Sequence, residues 1–505
     1  MDVESVTAAL WDYWMMSPSP TTTSPAPPAR KAFFGHPRML ANLFSVELWE
    51  RFSFYGMQGI LLYYMYYSVT DGGLGMSEGV AAGLVGAYGG GVYLSSIVGA
   101  WVADRILGSE RTLFYSAILV MVGHISLSLV PGYAGLAIGL VLIAIGSGGL
   151  KANATALVGS LYDEKDERRD AGFSIFYMGI NIGGLMGPIL TGLLWNSFGF
   201  HFGFGLAAVG MAIGLAQYAA TRKYLPESAH LVANPLPRNH FIRMGSIAAA
   251  AIAVVLAAVA FGLINSENLV GLMAILALVA AIAYFVVILS SKRVSQVERR
   301  RVFSFMPLFV ASTAFWALFQ QQFTVVALYA DTSLNREIFG WEMPPSFVQS
   351  INPIFIIIFA AVFASMWTKL GSRQPGTPLK FGIGLAVMGL AFLAFIPFSG
   401  GGPASTPLLA LAGILLLFTF AELSLSPTGL SAATKLAPSA FPTQMVALFY
   451  LSVSLGSTLS GWLAQFYSQD TEVSYFSFLG ITAIVLGATL ALCAPAIKKL
   501  MGGVR

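Results

Sequence analysis

Apolar residues in this chain gather into runs of about 18 or more, separated by short polar connections. A run of that length forms a helix long enough to cross the roughly 30 Å hydrocarbon core of a bilayer. Length and periodicity predict about fourteen such helices. The first six fall at about 42–68, 79–104, 112–130, 135–160, 171–195 and 202–222. Two follow at about 243–263 and 268–290, and six more at about 303–330, 346–370, 380–398, 407–436, 443–467 and 475–498. The expected class is an all-α polytopic membrane protein with the lipid bilayer as its solvent.

The informative positions are those that break the apolar pattern. The first run contains Glu47-Leu-Trp-Glu50-Arg51-Phe-Ser-Phe54-Tyr55-Gly56. On a helix, Glu47, Glu50 and Arg51 stand at i, i+3 and i+4 and share one face. A single ionisable side chain at the centre of a membrane helix costs roughly 2.5–3.5 kcal/mol. Three in two turns are tolerable only if they face a wet cavity or one another. A buried ion-pair cluster that only fixes helix packing is the bland reading, and a proton and solute path is the functional one. Lys151 falls in mid-run after Gly146-Ser-Gly-Gly-Leu150, too deep to snorkel easily. Glu422 is the remaining embedded acid, far along the chain. A zwitterionic solute between the two parts of the chain would place its carboxylate near Arg51 and Lys151 and its ammonium near Glu422. Protonation of Glu47, Glu50 or Glu422 would weaken a Glu–Arg or Glu–Lys contact and free the cation for that carboxylate.

Composition supports the membrane reading: 56% of the residues are hydrophobic and 10% charged, against about 25% charged in soluble domains. The formal charge of +4 is too small and too dispersed to suggest nucleic acid. Of 27 Lys and Arg residues, only Arg336 falls on one side of the predicted topology. Apart from the embedded Arg51 and Lys151, the others line the opposite side, among them Arg30, Lys31, Arg105, Lys165, Arg168, Arg222, the 299–301 arginines, Lys369, Lys380 and Lys498. That asymmetry predicts an even number of spans with both termini in the cytoplasm. The basic side is called the basic face below. Cys493 has no partner for a disulfide, and the five histidines are too scattered to hold a metal. No Gly-x-x-x-x-Gly-Lys-Ser/Thr loop is present to couple transport to ATP. No nucleophile–base set suggests an enzyme. No basic-then-apolar leader opens the chain. The Pro/Ser/Thr run from Ser17 to Pro28 predicts a disordered cytoplasmic arm over 1–38.

A faint repeat divides the chain. Gly99-Ala-Trp-Val-Ala-Asp104-Arg105-Ile-Leu-Gly108 closes the second run, and Ala364-Ser-Met-Trp-Thr-Lys369-Leu-Gly371 closes the tenth. Both are small-residue helix ends meeting a glycine turn among basic residues. The expected organisation is an N-terminal six-helix bundle over 39–225, an inserted lipid-facing hairpin over 240–292, and a C-terminal six-helix bundle over 300–500. Two such halves imply a carrier with its site at the midplane between them. Tyr55, Tyr93, Tyr177 and Asn181 from the first half could line that site, with Trp316, Asn352 and Ser426 from the second. Buried amides such as Asn181 and Asn352 are costly without partners.

The residues also carry a resemblance. Glu47-x-x-Glu50-Arg51-Phe52-x-Phe54-Tyr55-Gly56 resembles the Glu-x-x-Glu-Arg-Phe-x-Tyr-Tyr-Gly signature of the proton-dependent oligopeptide transporters, a branch of the major facilitator superfamily. Phe176-Tyr177-Met-Gly-Ile180-Asn181, Gly148-Gly-Leu-Lys151-Ala-Asn153, Gln349-Ser-Ile-Asn352-Pro353 and Glu422-Leu-Ser-Leu-Ser426-Pro427 match in order. The resemblance spans about 35–500 and includes the inserted helix pair of bacterial members. It implies import of di- and tripeptides with protons across the bacterial inner membrane. It places the peptide carboxylate near Arg51 and Lys151 and the amino group near Asn181 and Glu422. Proton coupling falls to Glu47, Glu50, Arg51 and Glu422, and Tyr55, Tyr93, Tyr177, Trp316, Asn352 and Ser426 complete the pocket. Protons are the only coupling species it calls for, with no other cofactor and no metal, and a monomer is the expected unit.

The departures from the family pattern are specific. Phe54 replaces the first tyrosine of the signature pair. Gln58 and Gln320 stand where many members carry a charged outer-gate pair, so a Gln58–Gln320 hydrogen bond is expected in its place. Gly86 occupies the position of the histidine found in animal members. A nitrate-like anion carrier of the same family and a drug/proton antiporter are the alternatives. Glu422 weighs against the first, and the Arg51–Lys151 pair against the second.

Overall fold

The computed structural model describes residues 33–503 apart from 164, 165 and 167. Most of the 1–38 arm, and Arg30, Lys31 and Lys165 of the charge pattern, lie outside the described residues. Six long helices come first: α1 (Arg38–Tyr66), α2 (Glu78–Val102), α3 (Ser109–Leu129), α4 (Gly132–Gly159), α5 (Arg169–Phe198) and α6 (Phe200–Thr221). A pair follows, α7 (Arg238–Ala260) and α8 (Leu269–Ser290). The rest are α9 (Gln296–Phe319), α10 (Val325–Thr332), α11 (Ile351–Leu370), α12 (Thr377–Leu393), α13 (Leu408–Lys435), α14 (Pro442–Ala464) and α15 (Glu472–Leu500). Among the described residues, 13 helical spans are long and apolar enough to cross a membrane. They take in every predicted run except the first. Helix α1, 29 residues long, falls outside them, its apolar character diluted by Glu47, Glu50, Arg51, Gln58 and its tyrosines.

Local chemistry sets the helix ends. Ser295 and Glu298 form a reciprocal capping box at the start of α9. Helix α2 runs through a π turn over Ala103–Leu107 to Gly108 at φ +79°, and α11 ends at Gly371 at φ +47°. The two segments of the sequence repeat therefore both close on a glycine in the left-handed region. The predicted continuous helix at 303–330 is instead broken. Residues Gln320–Phe323 form a 3-10 turn between α9 and α10. There Gln320 donates to Ser457 at 2.9 Å and Tyr475 donates to Gln321 at 3.0 Å. Irregular backbone at this depth is tolerable where protein covers it.

Helices α1–α6 pack on one another, as do α9 and α11–α15; between these groups α2 meets α14 and α5 meets α11. Small residues allow these approaches. A methyl on Gly187 of α5 would lie 2.8 Å from the backbone nitrogen of Gly56 on α1, and one on Gly461 of α14 would lie 2.8 Å from the Cα of Gly86 on α2. The expectation of a wholly lipid-facing hairpin needs correction. The apolar stretch of α7 is exposed throughout, but α8 buries Val270, Ala277, Ala281, Phe285 and Ile288 against α2 and α14. Ala277 and Ala281 lie one turn apart and make a flat stripe, while Val270 and Met273 pack over Gly83 and Gly91 of α2. Half of the insertion therefore lies across the seam between the two groups.

Candidate functional site

The signature residues of α1 turn inward and toward one another. Arg51 Nε lies 2.8 Å from Glu47 Oε1 and 2.8 Å from Glu50 Oε2. All three are almost wholly buried, at 2%, 0% and 3% exposure for Glu47, Glu50 and Arg51. Ser147 on α4 donates to Glu50 Oε1 at 2.6 Å, tying the cluster to the neighbouring helix. The Phe54 ring lies 5.6 Å from the Arg51 guanidinium carbon and fills the place of the missing tyrosine with a π face. Glu47 Oε2 and Arg51 Nη2 have no hydrogen-bond partner. A buried cluster with unused acceptor and donor atoms is poised to exchange partners, because each such atom carries a desolvation cost that a new bond would relieve.

Lys151 on α4 reaches the hydroxyl of Tyr93 on α2 at 3.1 Å, with its ammonium 4.2 Å from the ring centroid. Tyr93 in turn stacks on Tyr450 of α14 at 6.4 Å. In the second group, Asn352 on α11 donates to Thr419 at 3.0 Å and to Glu422 Oε2 at 3.4 Å, both on α13. Tyr55 sits between the two charge groups. It stacks on Phe323 at 6.2 Å, and Arg51, Lys151 and Glu422 all lie within electrostatic reach of its hydroxyl. Tyr93 and Tyr177 also feel the Glu422 charge. The structure thus brings Arg51, Tyr55, Tyr93, Lys151, Tyr177, Asn352 and Glu422 into one neighbourhood. Asn181 spends its amide on the carbonyl of Tyr177, at 2.9 Å in its own helix. Ser426 lies one turn beyond Glu422 and is half-buried. Trp316 is buried beside Gly456, with its indole nitrogen unpartnered.

The hydrogen bonds described between the two helix groups lie at mid-depth or toward the face opposite the basic one. Ser346 donates to Pro188 O at 3.0 Å, Ser350 to Leu185 O at 2.8 Å, Ser454 to Gly90 O at 2.8 Å and Tyr63 to Ala327 O at 3.1 Å. The expected Gln58–Gln320 bond is absent. Gln320 donates instead to Ser457 on α14 at 2.9 Å, and the carbonyl oxygen of Gln58 is buried without a partner. The 3-10 turn at Gln320–Phe323 carries the Gln320 amide toward α14 and away from α1. Gln58→Ala should accordingly change initial uptake rates by less than about twofold, since it removes a group that is already unsatisfied.

The polar latch on this face is elsewhere. Tyr66 and Tyr67, at the end of α1, both donate to Asp331 of α10, Tyr67 at 3.0 Å. Arg336 lies 3.4 Å from Asp331 and 3.0 Å from Glu342. Sequence reasoning missed Asp331, although an acid five residues before the only cation on that side was a usable signal. Ser147, Tyr66, Tyr67 and Tyr450 gave none, since hydroxyls and aromatics in membrane helices are too common to single out. A hydrogen bond to a charged group contributes about 1.5–3 kcal/mol. Asp331→Ala should thus slow transport about tenfold, with Tyr66→Phe/Tyr67→Phe reproducing most of the loss in initial-rate measurements.

On the basic face a cleft of about 590 Å³ opens between α11, α12, α13 and α15 and reaches inward to Tyr177 and Leu423. The cross-group hydrogen bonds and the cleft thus lie toward opposite faces.

A family model described as the POT family matches residues 110–482. The chain is 39% identical over 499 residues to a di-/tripeptide transporter of Lactococcus lactis subsp. cremoris, covering 94% of this chain and 98% of that one. It is 43% identical over 478 residues to the uncharacterized transporter YclF of Bacillus subtilis (strain 168), covering 94% and 97%. Among solved structures, a mutant of the peptide transporter POT in complex with alafosfalin superposes with a TM-score of 0.90 at 44% identity, covering 94% of this chain and 98% of that one. A POT family transporter in complex with 5-aminolevulinic acid gives 0.87 at 38%, covering 93% and 98%.

Proposed function

This chain belongs to the POT family and has the major facilitator fold, and from that premise we propose that it is a proton-coupled importer of di- and tripeptides working by alternating access. The observation that carries the proposal is the division of the embedded charges, with Arg51 and Lys151 on one helix group and Glu422 on the other. A peptide lying between them brings its carboxylate to the cations and its ammonium to Glu422. The 5-aminolevulinic acid bound by one relative likewise carries an amino and a carboxyl group. A carrier of small inorganic anions would have no use for Glu422.

Coupling follows from the α1 cluster. A proton on Glu50 or Glu47 weakens its hold on Arg51, which then turns to the arriving carboxylate. Release toward the open face returns Arg51 to the glutamates and expels the proton. Protons are the only coupling species in this scheme, and a single chain contains every group it needs. Its Lys/Arg content supports reading the basic face as cytoplasmic, with both termini on that side of a bacterial inner membrane. The structure then corresponds to the state open to the cytoplasm.

Uptake of labelled di- and trialanine into proteoliposomes tests the reading. Accumulation above equilibrium under an inward proton gradient, abolished by a protonophore, is the expected result. Peptide exchange without accumulation would remove the coupling assignment and leave the peptide site. No peptide movement in a preparation that folds would overturn both.

A further inference from the structure

Tyr88, on α2, is a titratable group that the transport scheme leaves without work. Its side chain is 6% exposed, and its hydroxyl has no hydrogen-bond partner. Phenylalanine would fill the same space without stranding a polar atom, so packing alone does not account for a tyrosine. The ring stacks on Phe54 of α1 at 6.0 Å and 27°, and the Phe54 ring in turn lies 5.6 Å from the Arg51 guanidinium carbon. Glu50 and Arg51 of α1 are the charged groups within electrostatic reach of the hydroxyl. The other helices packed on this stretch of α2 bring neutral groups, Ser457 and Thr458 from α14 and Met273 from α8. Lys151 of α4 is occupied by Tyr93, further along α2.

Depth gives the hydroxyl a direction. At about 1.5 Å per residue, Glu50 lies about 24 Å along α1 from its outer end at Tyr66, and Tyr88 about 15 Å along α2 from its outer start at Glu78. Tyr88 therefore stands on the outer side of Glu50, the side from which a proton enters under an inward gradient. Glu50 has room to receive it. Ser147 and Arg51 take one position on each of its oxygens, and a carboxylate has about four acceptor positions. Phe54, at the place of the signature's first tyrosine, offers no hydroxyl of its own.

We propose that Tyr88 is the proton relay to Glu50: its hydroxyl takes a proton arriving from water on the outer side and passes its own to the Glu50 carboxylate, directly or across one water. On the phenol oxygen one O–H bond forms as another breaks, so Tyr88 ends uncharged. One O–H bond forms on Glu50, which ends neutral and loosens its hold on Arg51. The inference rests on the coupling role proposed for Glu50.

The test is Tyr88→Phe, which keeps the ring against Phe54 and removes only the hydroxyl. Uphill uptake and counterflow of labelled dialanine are measured in proteoliposomes over a range of external pH, beside wild type and Glu50→Gln. Uphill uptake should fall at least about tenfold, while counterflow, which needs no new proton, is kept and shows that the variant is folded. The pH profile of the remaining uptake should move to more acid external pH, where a higher proton concentration offsets slower delivery. A structural role for the hydroxyl would lower counterflow in step and leave the profile in place, and that result overturns the proposal. Uphill uptake at the wild-type rate overturns it as well. If Glu50→Gln loses uphill uptake and Tyr88→Phe keeps it, the relay is wrong and the coupling reading stands. If both variants keep it, the coupling reading falls with the relay.

Discussion

Glu50→Gln should abolish gradient-driven peptide accumulation, by at least about 100-fold, while leaving peptide exchange across the membrane intact. The substitution keeps the shape of the side chain and an oxygen able to accept from Ser147, which bonds Glu50 at 2.6 Å. It removes the charge that lies 2.8 Å from Arg51. Loss of one partner from a buried ion pair typically costs about 3–5 kcal/mol, and about 1.4 kcal/mol is a factor of ten in an equilibrium. Glu47, also 2.8 Å from Arg51, keeps the guanidinium neutralised, so the protein should still fold and still bind peptide. What disappears is the site that must be protonated for Arg51 to change partners. Counterflow of labelled peptide against unlabelled peptide and uphill uptake under a proton gradient separate the two steps. Uphill uptake at the wild-type rate would falsify the coupling assignment.

The spans and the central charges were legible in the sequence because both are written in residue chemistry alone. An apolar run of sufficient length is a crossing helix whatever it packs against, and Glu50 or Lys151 within such a run needs a partner wherever it falls. Which partner was not legible. Ser147 bonds Glu50 across two helices, and a serine in a glycine-rich run carries no mark of that. The Gln58–Gln320 pairing failed for a related reason. It carried over the positions of the family's gate pair, and in this chain the Gln320 amide, at the start of the 3-10 turn Gln320–Phe323, bonds Ser457 instead. The closed face depends on Asp331 and its two tyrosines, an interaction of residues 264 and 265 positions apart. The hairpin was half right. The apolar character of α8 is the same whether it faces lipid or protein, and only the glycines of α2 decide that one side is covered.

Gly461→Leu should stop transport as completely as Glu50→Gln, by the opposite route. Helices α2 and α14 meet backbone to backbone on the closed face. A first methyl at Gly461 would already lie 2.8 Å from the Cα of Gly86 and 2.8 Å from the carbonyl oxygen of Gly83. Overpacking a well-packed interior costs about 1–3 kcal/mol when side chains can shift. Here the obstacles are main-chain atoms, so the helices can accommodate the group only by separating, which opens that face. The same contact leaves no room for a histidine at Gly86, where a methyl would lie 2.4 Å from the Cα of Gly461. The variant should bind peptide with near-normal affinity from the side it holds open, yet show neither accumulation nor counterflow, because the cleft-open state is no longer reached. Glu50→Gln keeps counterflow and Gly461→Leu loses it, so one assay on both variants separates a failure of coupling from a failure of closure. Distances between spin labels at the ends of α2 and α14 on that face should lengthen in Gly461→Leu and stay unchanged in Glu50→Gln. Normal counterflow with unchanged distances would mean that the α2–α14 contact is not the one that closes the transporter.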